Sequence, residues 1–220
     1  MIPNKTLVVG VTGNSGSGKG SLGRILQGEG AFLADCDCLA HEAIAQGAPA
    51  YYETIELFGE GILDGGAIDR KKLGGIVFRD PGKKKALEKA VHRRVIEAAL
   101  LLTEDAAGRG ARLAVWDAPL LIEAEMHKMC DFVAVVTASF DKKIERICIR
   151  DNISREAAIL RLKSQPAQES LIEWAVRDLG RDRVFEVKND LDEANLEGEA
   201  MRLLEILSQR FALKLKPNAK

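Results

Sequence analysis

A short apolar strand that runs straight into a glycine-rich turn and then a helix leaves a chain few folds to choose from. Leu7-Val8-Val9-Gly10-Val11 is a continuous apolar run, as expected of a strand buried on both faces. Gly13-Asn14-Ser15-Gly16-Ser17-Gly18-Lys19-Gly20-Ser21 follows at once, and Leu22, Ile25 and Leu26 then carry helical spacing. Such glycines let the backbone turn so that successive N–H groups aim at one anion, and the helix N-terminus adds its partial positive charge. Lys19 reaches the β- and γ-phosphates as a point charge. The strict phosphate-loop pattern continues from this lysine into Ser or Thr, and here that position is Gly20. The hydroxyl that normally ligates Mg²⁺ is therefore missing. Ser21 is one substitute, turned about 100° around the helix. A water is the other, because Mg²⁺ usually keeps several.

Further apolar runs build a sheet around this unit. Ala31–Ala34 ends in Asp35, Leu113–Trp116 in Asp117, and Phe132–Val136 and Val184–Val187 complete five. Strands separated by helical stretches predict an α/β fold of the phosphate-loop NTPase type, a parallel five-stranded sheet flanked by helices. Two helical interruptions are expected at its carboxyl edge, where ligands bind in open α/β folds. The first spans about 38–110 and contains no evident strand. Within it Asp80-Pro81 starts a helix whose apolar face reads Leu87, Val91, Val95, Ala98, Leu101 and Leu102, ended by Gly108 and Gly110. The second spans about 141–168, with Ser154 as an N-cap. Residues 1–212 thus read as one domain, and 213–220 as a frayed tail.

Composition narrows the class. The net charge is −1, which excludes a general polyanion binder, so neither nucleic acid nor membrane is an expected partner. No apolar segment approaches the roughly 18 residues needed to span a bilayer, and the first residues do not read as a secretory signal. Four irregularly spaced cysteines make no disulfide framework. Cys36 and Cys38 lack the second pair that a tetrahedral metal site needs. The expectation is a cytoplasmic protein, a monomer or weak oligomer.

Other landmarks narrow the reading further. Val9–Lys19 resembles the start of dephospho-CoA kinases. Asp35-Cys36-Asp37-Cys38-Leu39-Ala40 resembles that family's D-A-D-x-x-A-R, and Phe58-Gly59 and Val77-Phe78 fall at expected points. His92 resembles its L-H-P histidine, and Asp117-Ala-Pro-Leu-Leu-Ile-Glu123 its D-x-P-L-L-[FI]-E. Glu145-Arg146, Arg150-Asp151 and Arg161-x-x-Ser164-Gln165 resemble its lid. The similarity runs in order from about residue 7 to 166.

The resemblance implies transfer of the ATP γ-phosphoryl to the ribose 3′-hydroxyl of dephospho-CoA, giving CoA and ADP, the last step of coenzyme A biosynthesis. The interruption at 38–110 would bind the acceptor, and the one at 141–168 would be a lid. A hydroxyl acceptor needs a carboxylate to orient it and take its proton. Asp37 is the expected base and acceptor contact, with Asp35 beside it at the sheet edge as a supporting, acceptor-binding or metal-linked neighbour, and helix capping and a turn as the alternative role for both. Asp117, at a strand end, is the expected indirect Mg²⁺ holder. Arg150 is the first choice for a lid arginine that stabilises charge on the transferring phosphoryl. Arg146 is assigned to ATP, and His92, Glu123 and Arg161 to the acceptor. Gly13 to Ser21 form the ATP loop, with Lys19 catalytic. Leu120 and Leu121 read as core or wall.

Four departures qualify the likeness. Gly20 replaces Ser or Thr, His41 replaces an arginine, Arg93 replaces a proline, and Arg183-Val184 replaces Ala-Asp before the last strand. Alternatives are another small phosphate-loop kinase acting on a nucleotide or nucleoside, or a non-catalytic nucleotide-binding regulatory homologue. A GTPase is less favoured, since Asp117-Ala-Pro-Leu lacks the expected glycine. The near-zero charge is also unevenly placed: residues 69–94 carry a formal +7, 141–163 +3, and 186–205 −5. Positive charge thus collects in the two segments expected to meet phosphates.

Overall fold

The apolar runs become the strands of one sheet because helices cover both of its faces. In the computed structural model, which describes residues 6–191, 193–213 and 215, the chain forms two compact units. One is built from the residues up to Ala34 and from Thr103 onward, the other from Asp35–Leu102. The first opens with β1 (Leu7–Thr12), α1 (Lys19–Gly28) and β2 (Phe32–Asp35). The second follows with α2 (Cys36–Ala43), α3 (Pro49–Phe58), β3 (Leu63–Asp64), β4 (Ala67–Ile68), α4 (Arg70–Val77) and α5 (Pro81–Gly108). The C-terminal end of α5, from Thr103, belongs to the first unit again. That unit continues with β5 (Leu113–Asp117), β6 (Phe132–Thr137), α6 (Phe140–Asp151) and α7 (Arg155–Lys163), then α8 (Gln168–Leu179), β7 (Val184–Lys188) and α9 (Glu193–Phe211).

The sheet order is β2-β5-β1-β6-β7, with parallel pairing of β1 to β5, β1 to β6 and β6 to β7. The central strand β1 therefore leads out at the point where the strand order reverses. A crevice opens there in folds of this kind, and the glycine-rich loop lies at it. Every residue of β1 and β6 is buried. Val9, Val11, Val115 and Val136 pack with Leu22 and Leu26 of α1 and with Leu196, Leu203 and Leu207 of α9 into one core. Gly10 lies where a Cβ would come 2.6 Å from Leu121, so only glycine permits that approach.

Several expectations change. The stretch 38–110 does contain strands, since β3 and β4 pair as an antiparallel hairpin. Gly65 and Gly66 turn it with φ of 56° and 86°, a conformation that glycine adopts without cost. On α5, Asp80 caps as expected, accepting from Gly82 N at 2.9 Å and Lys83 N at 3.0 Å. Its buried positions are Ala90, Val95, Ala99, Thr103 and Ala106, whereas Leu101 is 65% exposed. Thr103 is drawn in because its hydroxyl accepts the indole N–H of the fully buried Trp116 at 3.0 Å. Leu121 is buried as expected, but Leu120 is exposed.

At the C-terminus, Leu213 is buried and Leu215 packs against the main core, so these two positions are anchored rather than frayed. Residues 214 and 216–220 of the expected tail lie outside the described residues. Among the described residues, no helix is long and apolar enough to cross a membrane.

Candidate active site

The loop from Gly13 to Gly18 is wedged between elements that leave no room for side chains at its turns. Gly13 has φ 146°, and a Cβ there would stand 2.2 Å from the Val136 carbonyl of β6. Gly18, at φ 102°, ends the loop and N-caps α1. A Cβ there would stand 2.1 Å from Asn189 Nδ2. Within the loop, Ser17 N donates to Asn14 O at 3.1 Å, and the first turn of α1 closes on Gly18 O through Ser21 N and Leu22 N. Ser17 is fully buried and its Oγ has no hydrogen-bond partner among the described residues. Lys19 curls back over the loop, its Nζ donating to Asn14 O at 3.4 Å.

Three side chains from the far half of the chain brace this turn. Arg146 of α6 donates from Nη1 to Gly16 O at 3.3 Å, Ser17 O at 3.5 Å and Asn189 O at 2.9 Å, and from Nη2 to Asn189 Oδ1 at 3.3 Å. Asn189, buried just past β7, donates from Nδ2 to Ser17 O at 2.7 Å. Gln165, after α7, accepts from Ser15 N at 2.9 Å and donates to Ser15 Oγ at 3.2 Å. Asn14 Nδ2 reaches the neighbouring Pro166 O at 2.8 Å. The expected ATP ligand Arg146 thus sits on the loop's own carbonyls, where a guanidinium neutralises oxygens that would repel a phosphate. Lys143 of α6 is also buried, its Nζ donating to Gln168 Oε1 at 3.0 Å, and burial holds its ammonium pKa below the usual lysine value.

At the first turn of α1, Gly20 stands beside Asp117 at the end of β5. A Cβ on Gly20 would lie 3.5 Å from Asp117 Oδ2 and 3.5 Å from Arg24 Nη1, an ordinary contact in both cases. The vacated position therefore opens onto a carboxylate, the hard oxygen donor that Mg²⁺ prefers. Ser21 Oγ accepts from Arg24 Nη2 at 3.3 Å. Among the described residues, no group of three His, Cys, Asp or Glu is gathered to hold a metal. The donor set suits an ion that keeps its waters and leans on Asp117.

Arginines of α6 and α7 converge on one acid. Arg150 grips Asp151 in bidentate fashion, Nε to Oδ1 at 2.7 Å and Nη2 to Oδ2 at 2.9 Å, and Arg161 of α7 reaches the same Oδ2. The Arg150 hydrogen bonds, followed by those of Arg161, hold the Asp151 carboxyl at a pKa of about 2. Ser154 caps α7 by accepting from Ala157 N at 3.2 Å. Glu123 is exposed in the turn after β5.

In the second unit, Asp35 N-caps α2, its Oδ1 accepting from Cys38 N at 3.0 Å. Asp37 follows in the first turn of that helix, exposed. Cys36 is buried, whereas Cys38 is exposed with its thiol 3.5 Å from Glu42 Oε1. His92 of α5 is half-buried, and desolvation lowers its pKa. The two arginines that follow it serve packing. Arg93 Nη2 donates to Glu53 Oε1 of α3 at 2.8 Å, and Arg94 donates to the same oxygen through Nε at 3.1 Å. The departure from proline at position 93 thus supplies a tie between α3 and α5.

Sequence reasoning passed over Asn189, although an Asn-Asp pair one residue past Val187 stood at the carboxyl edge where loop-facing residues gather. Its neighbour Asp190 accepts from Ser139 N at 2.6 Å and so anchors the start of α6. Arg183, a second departure, holds the carbonyls of Cys130 and Asp131 ahead of β6.

Comparison with known proteins agrees with this geometry. The dephospho-CoA kinase family model matches residues 7–182. A dephospho-CoA kinase of Geobacter sulfurreducens is 40% identical over 163 residues, 74% of this chain and 83% of that protein. One from Anaeromyxobacter dehalogenans is 36% identical over 201 residues, 90% of this chain and 95% of that protein. The solved dephospho-CoA kinase of Campylobacter jejuni superposes with a TM-score of 0.63 at 25% identity, covering 92% of this chain and 97% of that one. With the loop, the strand order and the sequence match in agreement, the chain belongs to the dephospho-CoA kinase family.

Proposed function

We propose that this protein is an ATP-dependent dephospho-CoA kinase that transfers the γ-phosphoryl group to the ribose 3′-hydroxyl of dephospho-CoA, yielding CoA and ADP. The family match over residues 7–182 carries the reading, because it takes in both the phosphate loop and the Asp35/Asp37 pair. The loop N–H groups of Gly13–Ser21 and the start of α1 hold the polyphosphate. Lys19 exchanges its contact with Asn14 O for phosphate oxygens. Asp37 orients the 3′-hydroxyl and takes its proton as the P–O bond forms, while Asp35 fixes the helix that presents it. His92, Glu123 and Arg161 bind the acceptor. Arg150 stabilises charge on the transferring group, and Arg146 keeps the loop in its receiving shape.

Asp117 would hold Mg²⁺, with water in place of the hydroxyl that Gly20 lacks, and the ion would supply neutralisation of the polyphosphate charge. In-line transfer needs little covalent chemistry from the protein, so positioning and electrostatics carry the rate. The protein works in the cytoplasm as a monomer or weak oligomer, without nucleic acid or membrane partners. The test is ADP release with ATP and Mg²⁺, comparing dephospho-CoA with nucleosides and nucleoside monophosphates. Turnover confined to dephospho-CoA is expected. Saturable ATP binding with no such turnover would overturn the reading.

A further inference from the structure

The missing hydroxyl at Gly20 has a neighbour that the phosphate-loop pattern does not include. Arg24 lies one helical turn further along α1, on the same face as Gly20. Its Nη1 is 3.5 Å from the place a Gly20 Cβ would take, and Asp117 Oδ2 is also 3.5 Å from that place. The carboxylate and the guanidinium thus both border the vacated position and lie within about 7 Å of one another, a bound that follows from the two distances. Arg24 also donates through Nη2 to Ser21 Oγ at 3.3 Å. The hydroxyl nearest to a replacement ligand is therefore engaged by a permanent cation.

A guanidinium does not ligate a metal. It opposes a divalent cation placed beside it and attracts the phosphate oxygens that the cation would otherwise neutralise. Gly20 leaves open a position that touches both groups, since a Cβ there would lie 3.5 Å from each.

We infer that Arg24 is a polyphosphate-binding residue of this site, a fixed positive charge that takes over part of the role lost with the hydroxyl at position 20. The inference rests on the ATP-dependent reading above. It makes nucleotide binding less dependent on Mg²⁺, because one neutralising charge belongs to the protein. Arg24 is solvent-exposed, and glutamine is nearly as good a helix former, so the variant Arg24→Gln is expected to fold.

The experiment is titration calorimetry of ATP into the full chain, once in EDTA and once in excess Mg²⁺, for the wild type, Arg24→Gln, Arg24→Lys and Gly20→Ser. Loss of one charge-assisted contact is expected to weaken metal-free ATP binding by about tenfold in Arg24→Gln. The loss in Mg²⁺ is expected to be at most about threefold on the same scale, with Arg24→Lys intermediate. Gly20→Ser is expected to move the ratio of the two dissociation constants further toward metal dependence. A metal-free affinity in Arg24→Gln within about twofold of the wild type would overturn the inference and leave the kinase reading intact. A wild type that binds no ATP in either buffer would overturn the donor reading, and this inference with it.

Discussion

Gly18→Ala places a methyl group where Asn189 Nδ2 now stands, 2.1 Å away, at a φ of 102°. Two costs follow. A non-glycine residue in left-handed conformation costs about 1–2 kcal/mol. Displacing Asn189 breaks its 2.7 Å hydrogen bond to Ser17 O, and a buried polar contact so lost costs about 1–3 kcal/mol. The lower half of that range applies, because Arg146 Nη1 also reaches Ser17 O at 3.5 Å. Together these give about 2–4 kcal/mol, a fall in Tm of about 5–15 °C for a chain of this size. In the Asn189→Ala background the amide is already gone, so the same methyl is expected to cost only the conformational part, about 1–2 kcal/mol. The assay is urea unfolding of both single variants and the double variant. A coupling energy of about 1–2 kcal/mol is expected. Additivity within about 0.5 kcal/mol would refute the claim that Gly18 is required by its contact with Asn189.

Asp37→Asn is expected to lower kcat by about 10²–10⁴ while leaving ATP affinity nearly unchanged; equal losses in both would show that Asp37 serves only the helix it sits on. Asp151, held near a pKa of about 2 by Arg150 and Arg161, stabilises the fold fully above the ordinary aspartate range. That contribution declines as pH falls through about 2, so the stability gap between wild type and Asp151→Asn should be constant above about pH 5 and close between about pH 4 and pH 2. A gap that persists at the acid end of the unfolding series would contradict the ion-pair assignment. Gln165→Ala removes both contacts to Ser15 and should speed amide exchange at Ser15 and through residues 155–166; unchanged exchange would mean that other contacts tether α7.

The strands were legible because four of the five carry an unbroken apolar run and the last, β7, is interrupted only at Glu186, the pattern produced when helices cover both faces of a sheet. The phosphate loop was legible because it needs particular residue types in one order. The buried face of α5 was misjudged because counting only apolar residues admits Leu101 and passes over Thr103, which is buried by its bond to Trp116. The hairpin of β3 and β4 escaped because two-residue strands show no alternation, although Gly65-Gly66 between them is a turn signal. At the site, residue types singled out the loop but not the groups that hold its shape. Arg146 and Asn189 act on the loop from more than a hundred positions away. Arg24 likewise looks like any helix-surface arginine until the space at Gly20 is measured.

The separation between Ser17 and Asn189, 172 positions in the chain, also bears on how the protein is made. Synthesis delivers the phosphate loop within the first tenth of the chain, but Arg146 emerges far later and Asn189 nearly last. A nascent chain therefore carries the nucleotide-binding sequence for most of its translation without the groups that give it shape. At about 5–20 residues per second, that interval amounts to roughly 10–35 seconds. Such long-range closure also slows folding once the chain is free. Capacity for nucleotide thus arrives with the last strand of the sheet, and the protein acquires its donor site as one of the final acts of its own assembly.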